Sequence, residues 1–307
     1  MHKIIRIGTR ESQLAVWQAN EVKNLLSNNG VSSELVFLKS KGDIDLHTPL
    51  YEMGVQGVFT KSLDIALLNN RIDIAVHSMK DVPTILPLGV VQAAVLKRAS
   101  YKDILVYKNG TEFLQEFKEP ALIATSSIRR KAQWLNRYPN HTIENIRGNV
   151  NTRLLKLKEQ NWEGAIFAAA GLERIVARPD NSIDLDWMLP APAQGAILIA
   201  CRDNDAFCLE ASATINDVDT AICTKIERDF LRMLLGGCST PISALAEIQS
   251  GKIHFIGNIL SLDGKEKASV EFFEPLTEIH DLGKKIAQEL LDNGGRTIAD
   301  KIRTTAK

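Results

Sequence analysis

The chain has 307 residues, 45% hydrophobic and 24% charged, with 37 Lys and Arg against 37 Asp and Glu. This is the composition of a globular protein of two or three domains; the neutral balance argues against a general nucleic-acid binder, and no run of about 18 apolar residues reads as a membrane span. Four cysteines without CxxC spacing give neither a zinc site nor a disulfide framework, and residues 1–8 lack a signal peptide's apolar core, so a reduced, cytoplasmic protein is expected.

Residues 3–8 read as a short strand. Residues 9–12 form a polar turn opening a helix with Leu14, Trp17, Val22, Leu25 and Leu26 at its apolar positions. Arg10 and Ser12 fall at the strand's carboxyl end, as ligand-binding groups or as helix caps. Residues 33–40 are a second apolar strand. Residues 41–60, with Gly42, Gly54 and Gly57 and little periodicity, read as a functional lid or a disordered loop. Helical spacing returns over 59–68. Residues 71–76 form a buried-type strand that runs into His77-Ser-Met-Lys-Asp-Val-Pro83, placing Lys80 and Asp81 just past a strand end. Those residues alone read equally as a surface turn with a local ion pair. His77 is one of six scattered histidines without metal-ligand spacing and reads as a packed or turn residue; no metal is expected.

Residues 89–96 are a further strand, and 104–107 begin a second series of strands and helices. Within it, residues 125–153 hold Arg129, Arg130, Lys131, Arg137, Arg147 and Arg153 against a single acid, Glu144. Twice, at 121–124 and 142–146, an apolar run passes into small polar and Arg residues and then into a helix-like segment. Free N–H groups at such a helix start, together with the helix dipole, favour an anion, and Arg adds planar bidentate donors. A lone Arg pair would line a solvated helix face. Two such units in tandem point to a pocket for a ligand with several acid groups, because ligands bind at strand carboxyl ends in open α/β sheets. No Walker A or GxGxxG motif occurs, which counts against a nucleotide-phosphate enzyme.

Residues 165–170 read as a strand, 190–195 as a Pro/Gly connector and 196–201 as an apolar strand returning to the first sheet. The connections near 97–103 and 188–196 make the second series an insertion in the first, with a cleft between them. Residues 218–235 form a long helix ended by Gly236 and Gly237. Three hairpin-linked strands follow at 242–248, 252–260 and 267–273, with a covering helix marked by Leu282, Ile286 and Leu290. The expected fold is α/β in three domains: 1–98 with 196–214, an inserted 99–195, and a small α+β domain, 215–307, with a three-stranded antiparallel sheet. Cys201 and Cys223 read as core residues; Cys238, in a loop after two glycines, is the candidate reactive thiol.

Seven stretches carry a family resemblance in order: Arg-Ile-Gly-Thr-Arg-Glu-Ser-Gln-Leu-Ala at 6–15, His-Ser-Met-Lys-Asp-Val-Pro at 77–83, Thr-Ser-Ser-Ile-Arg-Arg at 125–130, Arg-Gly-Asn-Val-Asn-Thr-Arg at 147–153, Ala-Ala-Gly-Leu-Glu-Arg at 169–174, Pro-Ala-Pro-Ala-Gln-Gly at 190–195 and Gly-Gly-Cys-Ser-Thr-Pro at 236–241. Together they resemble the hydroxymethylbilane synthase (porphobilinogen deaminase) family over essentially the whole chain. The resemblance implies two periplasmic-binding-protein-like α/β domains flanking a cleft, and a third domain carrying the cysteine loop. It implies an enzyme of tetrapyrrole and haem biosynthesis that joins four porphobilinogen molecules into hydroxymethylbilane with loss of ammonia. The family's dipyrromethane cofactor is bound through a thioether to the cysteine matching Cys238, and its catalytic carboxylate matches Asp81. Cofactor and substrate binding is assigned by the same matching to Arg10, Ser12, Gln18, Lys80, Thr125, Ser126, Ser127, Arg129, Arg130, Arg147, Gly148, Asn149, Arg153, Arg174 and Gln194. Porphobilinogen is the expected small-molecule partner of a monomer, with no nucleic acid and no membrane. One departure is Gln56, where relatives frequently have Lys. The alternative is a non-catalytic two-domain binding protein for a small polycarboxylate, against which the third domain and its loop cysteine argue.

Overall fold

The computed structural model describes residues 4–39, 60–115, 120–234 and 240–305. The lid expected over 41–60, apart from Thr60, lies outside the described residues, as do Gln56 and Cys238.

The first sheet is built from β1 (Ile5–Thr9), β2 (Ser33–Phe37), β3 (Ile74–Ser78), β4 (Val90–Val95) and the distant β10 (Ile197–Arg202), in the order β2-β1-β3-β10-β4. β1 pairs in parallel with both β2 and β3, and β10 runs antiparallel between β3 and β4. Helices α1 (Gln13–Asn28) and α2 (Lys61–Leu68) cover opposite faces. Ile74 and Val76 pack with Val22 and Leu26 of α1, whereas Ala75 packs with Leu63 and Leu67 of α2. Successive strand residues point to opposite faces, so a strand covered on both sides must be continuously apolar, as Ile-Leu-Ile-Ala-Cys of β10 is.

The second sheet repeats the plan. It contains β5 (Asp103–Tyr107), β6 (Leu122–Ala124), β7 (Thr142–Glu144), β8 (Gly164–Ala168) and β9 (Ser182–Asp184), in the order β7-β6-β8-β5-β9. β6 is parallel to β7 and β8, and β5 is antiparallel to β8 and β9. In both sheets the reversed strand stands fourth, and in each it is a strand that adjoins a crossing between the two sheets. Helices α3 (Ile128–Arg137), α4 (Val150–Glu159) and α5 (Ala169–Glu173) belong to this series. The strand expected over 165–170 ends at Ala168, where the chain turns directly into α5. β9 was not expected, since a run of three residues is too short to carry a readable period.

After α6 (Ala206–Ala213), the long α7 (Val218–Leu234) packs with α8 (Leu282–Leu290) and α9 (Arg296–Thr305) on the antiparallel sheet of β11 (Ile242–Gln249), β12 (Lys252–Leu260) and β13 (Lys267–Pro275). Phe230 of α7 meets Phe255 of β12 at the centre, ring centroids 5.0 Å apart. Among the described residues, no helix is long and apolar enough to cross a membrane.

Candidate active-site cleft

The parallel strands of the two sheets end at one cleft of about 670 Å³, within the size range of small-molecule sites. From the first sheet, β1 delivers Arg10 and Ser12, and β3 delivers the single 3-10 turn Met79–Asp81. Ser12 caps α1 by accepting a hydrogen bond from the Ala15 N–H at 3.4 Å. From the second sheet, β6 leads to Ser127, which caps α3 by accepting from the Arg130 N–H. The segment after β7 leads to Asn149, whose Oδ1 accepts from the Thr152 N–H at 3.0 Å and caps α4. Ser126 fixes the two segments together: its Oγ donates to the Ile146 carbonyl at 2.8 Å and accepts from the Ile146 N–H at 2.9 Å. With that of α1, three helix N-termini therefore border the same space.

The cleft is strongly basic. Among the described residues that line it, seven carry positive side chains and two, Glu11 and Asp81, carry carboxyls. Such a wall favours a ligand with several negative charges. Burial, with Arg130 and Arg147 nearby, pushes Arg153 down to about 10, and its Nε donates to the Gly148 carbonyl at 2.8 Å. Burial also lowers Arg174 to about 10, against the pull of Glu21 and Glu173. The Arg174 guanidinium stacks over the Trp17 ring at 5.5 Å and donates to the Gly195 carbonyl at 2.7 Å, so it spans both domains. A second cavity, about 80 Å³, lies beside the cleft between α1 and the end of β3, and Arg10, Ser12, Gln18 and Asp81 line it. His77 on its wall is pushed down to about 4 by burial and by Arg10, so it is neutral at physiological pH.

Behind the cleft wall lies a buried network that no sequence spacing announced. Asp103, at the start of β5, is fully buried. Its Oδ2 accepts from Arg129 Nη2 at 2.7 Å, and its Oδ1 accepts from Arg130 and, at 2.9 Å, from Gln194 Nε2. Burial works to raise the Asp103 pKa, but Arg129 and Arg130 prevail and hold it far below the usual carboxylate range. Gln194 also accepts from Lys80 Nζ at 3.2 Å, so one amide links a strand-end turn of the first sheet to the acid of the second. Burial, then repulsion from Arg130, lowers Lys80 to about 8, although Asp81 and Asp103 oppose the shift.

The third domain grips the crossing between the sheets. Glu227 of α7 is fully buried and accepts from Arg98 Nη1 and Nη2 at 2.6 and 3.1 Å, and from the Ala193 and Ala246 N–H groups at 2.6 and 2.8 Å. One carboxylate thus ties both crossing segments to a helix and a strand of the third domain.

The residues expected at the site are mostly assembled here. Arg10, Ser12, Lys80, Asp81, Ser126, Ser127, Arg130, Arg147, Gly148, Asn149, Arg153, Arg174 and Gln194 line the main cleft, and Gln18 lines the smaller cavity. Thr125 and Arg129 stand off the wall. Thr125 is buried and accepts from the Ser127 N–H, while Arg129 donates to the Leu189 carbonyl and to Asp103. Lys39, Asp103 and Asn151 were missed. The one available signal was an acid, Asp103, opening the apolar run of β5, since a buried acid requires partners. Cys201 and Cys223 are buried, and burial pushes their thiols up to about 11 and about 12, consistent with inert core residues.

Comparison with known proteins identifies the family. The family model described as "Porphobilinogen deaminase, dipyromethane cofactor binding domain" matches residues 5–210, and that described as "Porphobilinogen deaminase, C-terminal domain" matches residues 221–292. A porphobilinogen deaminase of Pelobacter propionicus is 40% identical over 302 residues, covering 97% of this chain and 97% of the relative. One from Syntrophomonas wolfei is 40% identical over 304 residues, covering 97% of this chain and 99% of the relative. Among solved structures, the methionine binding protein MetQ aligns with a TM-score of 0.44 at 13% identity, covering 71% of this chain and 91% of that one. With two family models along its length and relatives at this identity, the chain belongs to the porphobilinogen deaminase family.

Proposed function

We propose that the cleft is where this chain condenses porphobilinogen, with Asp81 as the catalytic carboxylate and Cys238 as the attachment point of the primer. As a member of this family, the chain makes hydroxymethylbilane for tetrapyrrole biosynthesis and has a dipyrromethane-binding domain. The observation that carries the site assignment is the seven-to-two excess of basic over acidic side chains around a wall that includes Asp81. We also propose the division into residues 1–98 with 196–214, 99–195 and 215–307, supported by the membership of β10 in the first sheet.

A dipyrromethane bearing an acetate and a propionate on each ring fits these residues. Its carboxylates call for cations and helix N-termini, and the cleft supplies Arg10, Arg147 and Arg153 beside the starts of α3 and α4. When bound, the group supplies the nucleophilic pyrrole carbon to which substrate units are added. The chain's own residues do the rest. Arg and Lys side chains orient carboxylates through charge-assisted hydrogen bonds, on the order of 1.5–3 kcal/mol each where desolvated. Asp81, exposed at the lip of both cavities, accepts from the incoming pyrrole N–H and stabilises the positive charge that grows as ammonia leaves. The buried Asp103 offsets one of the two positive charges of Arg129 and Arg130 and draws both guanidiniums to itself, so that Arg130 lines the cleft with a counter-charge behind it.

Intact mass of the freshly purified chain tests this reading. The parent protein is expected to weigh two pyrrole units more than its amino acids, to gain further units on incubation with porphobilinogen, and to lose all additions as Cys238→Ala. A parent mass equal to the bare polypeptide, unchanged by substrate, would overturn it and favour a polycarboxylate-binding protein.

A further inference from the structure

Arg228, on α7 of the third domain, reaches the turn that carries Asp81. Its Nη1 donates to the carbonyls of Val82 at 2.9 Å and Met79 at 3.3 Å, and its Nη2 donates to the Pro83 carbonyl at 2.6 Å. Met79–Asp81 is one 3-10 turn, closed by the Val82 N–H donating to the Met79 carbonyl at 3.1 Å. So short a turn satisfies few of its own carbonyls and holds its shape poorly alone. A guanidinium is a rigid planar fork, suited to fix several carbonyls at once. Met79 and Val82 are buried in the first domain's core at 1% and 2% exposure, whereas Asp81 between them is exposed. The turn is thus anchored by packing on one side and by Arg228 on the other, with its carboxylate left toward the cleft.

The helix that supplies Arg228 is itself fixed. Asp217 Oδ1 caps it by accepting from the Thr220 N–H at 2.8 Å, and the Asp217 N–H donates to the Val95 carbonyl at 2.8 Å, which ties the helix start to β4. The preceding residue, Glu227, holds the crossing segments. In sequence, Cys238 follows shortly after the end of α7.

We propose that Arg228 is a positioning residue that fastens the Asp81 turn to α7, so that the domain bearing Cys238 sets where the carboxylate stands. This rests on the roles given above to Asp81 and Cys238. Arg228 does not line the cleft and acts through the backbone of residues 79–83. Losing it loosens the turn without removing any group that touches substrate.

The test uses the full chain as Arg228→Ala and Arg228→Lys, with two readouts. The first is hydrogen–deuterium exchange of a peptide spanning 77–85, measured in a Cys238→Ser background that carries no primer. Exchange there is expected to rise about tenfold in Arg228→Ala relative to Arg228. The second is steady-state kinetics of primer-bearing protein, confirmed by mass. Here kcat is expected to fall about tenfold or more with KM within about threefold, because small misplacement of a catalytic group costs chemistry more than binding. Added guanidinium ion is expected to restore part of kcat in Arg228→Ala and none in the parent. Should Arg228→Ala fail to fold, Arg228→Lys is judged by the same readouts, with intermediate values expected since one ammonium cannot span the three carbonyls. Exchange within twofold of the parent, or raised exchange with unchanged kcat, overturns the proposal. A parent protein that carries no primer and makes no product defeats the functional reading instead, and the exchange result then still reports on the turn.

Discussion

Asp103 Oδ1 accepts two hydrogen bonds from Arg130 behind the cleft wall, 3.1 Å from Nε and 2.7 Å from Nη2. With Arg129 on the other oxygen, one fully buried carboxylate holds two guanidiniums side by side. Without that counter-charge the two cations would repel each other in a site from which water is largely excluded. The basic wall therefore depends on an acid that never reaches the ligand.

Asp103→Ala is expected to destabilise the fold by about 3–5 kcal/mol, the usual cost of stripping one partner from a buried ion cluster. Urea unfolding monitored by tryptophan fluorescence measures it, and a change under about 1 kcal/mol would show that the pair is not structural. The pH dependence has a defined sign. The folded-state pKa is depressed, so the stabilisation is complete above the unfolded value of about 3.9 and is lost as pH falls below it. The gap between the parent and Asp103→Asn should be constant from pH 5 to 8, on that basis, and shrink below about pH 4.

Lys80 gives the cleft a titration near neutrality. Its pKa in the folded chain is about 8, and an anionic ligand prefers the protonated form. Above that pH the protein must take up a proton to bind. Affinity of a Cys238→Ser protein for porphobilinogen should be flat below pH 7.5 and weaken by up to about tenfold per unit above 8. Lys80→Arg should flatten the upper limb, since a guanidinium stays charged. Calorimetric titration from pH 6.5 to 9.5 checks this, and a flat parent profile would remove Lys80 from the set of ligand-facing cations.

Much of the site was legible because strand ends are written locally. An apolar run followed by Thr-Ser-Ser-Ile-Arg-Arg or Arg-Gly-Asn-Val-Asn states strand, turn and capped helix within ten residues, and Ser127 and Asn149 cap α3 and α4 accordingly. The partners that lie far apart in the chain were not legible. Asp103 and Arg130 are 27 positions apart, and Arg228 and Val82 are 146 apart. Such pairs follow from how the sheets pack, not from any period. Arg129 shows the same limit in reverse. It neighbours Arg130 in a motif full of ligand-type residues, yet one helical step of about 100° turns it to the Leu189 carbonyl and to Asp103.

Gly195 is where the two crossing segments touch. Its φ is +89°, and a Cβ there would lie 2.6 Å from the Ala99 carbonyl oxygen and 2.9 Å from that of Ser100. Both obstacles are backbone, so no side chain can rotate away. Gly195→Ala is expected to cost about 2–4 kcal/mol from left-handed strain and forced separation of the segments. It should also displace the Gly195 carbonyl from Arg174. Thermal unfolding checks the first effect. Small-angle scattering checks the second, as a larger radius of gyration for the variant. A parent-like melting temperature would mean that the crossing tolerates a side chain.

Asp81 is the sharpest case, because stability and chemistry are expected to separate there. The side chain is exposed and lies between two cavities, so Asp81→Ala should change stability by no more than about 0.5 kcal/mol, as for most surface sites. If its carboxylate stabilises the charge that develops as ammonia leaves, turnover per primer-bearing molecule should fall by about 10²–10³, the range for removing one preorganised electrostatic group. Asp81→Asn should fall nearly as far, since it keeps the shape and loses the charge. Single-turnover product formation, normalised to primer content by intact mass, checks both variants. Turnover within threefold of the parent in Asp81→Asn would require the developing charge to be met by some other group, and Glu11 is the remaining carboxyl among the described residues of the cleft wall.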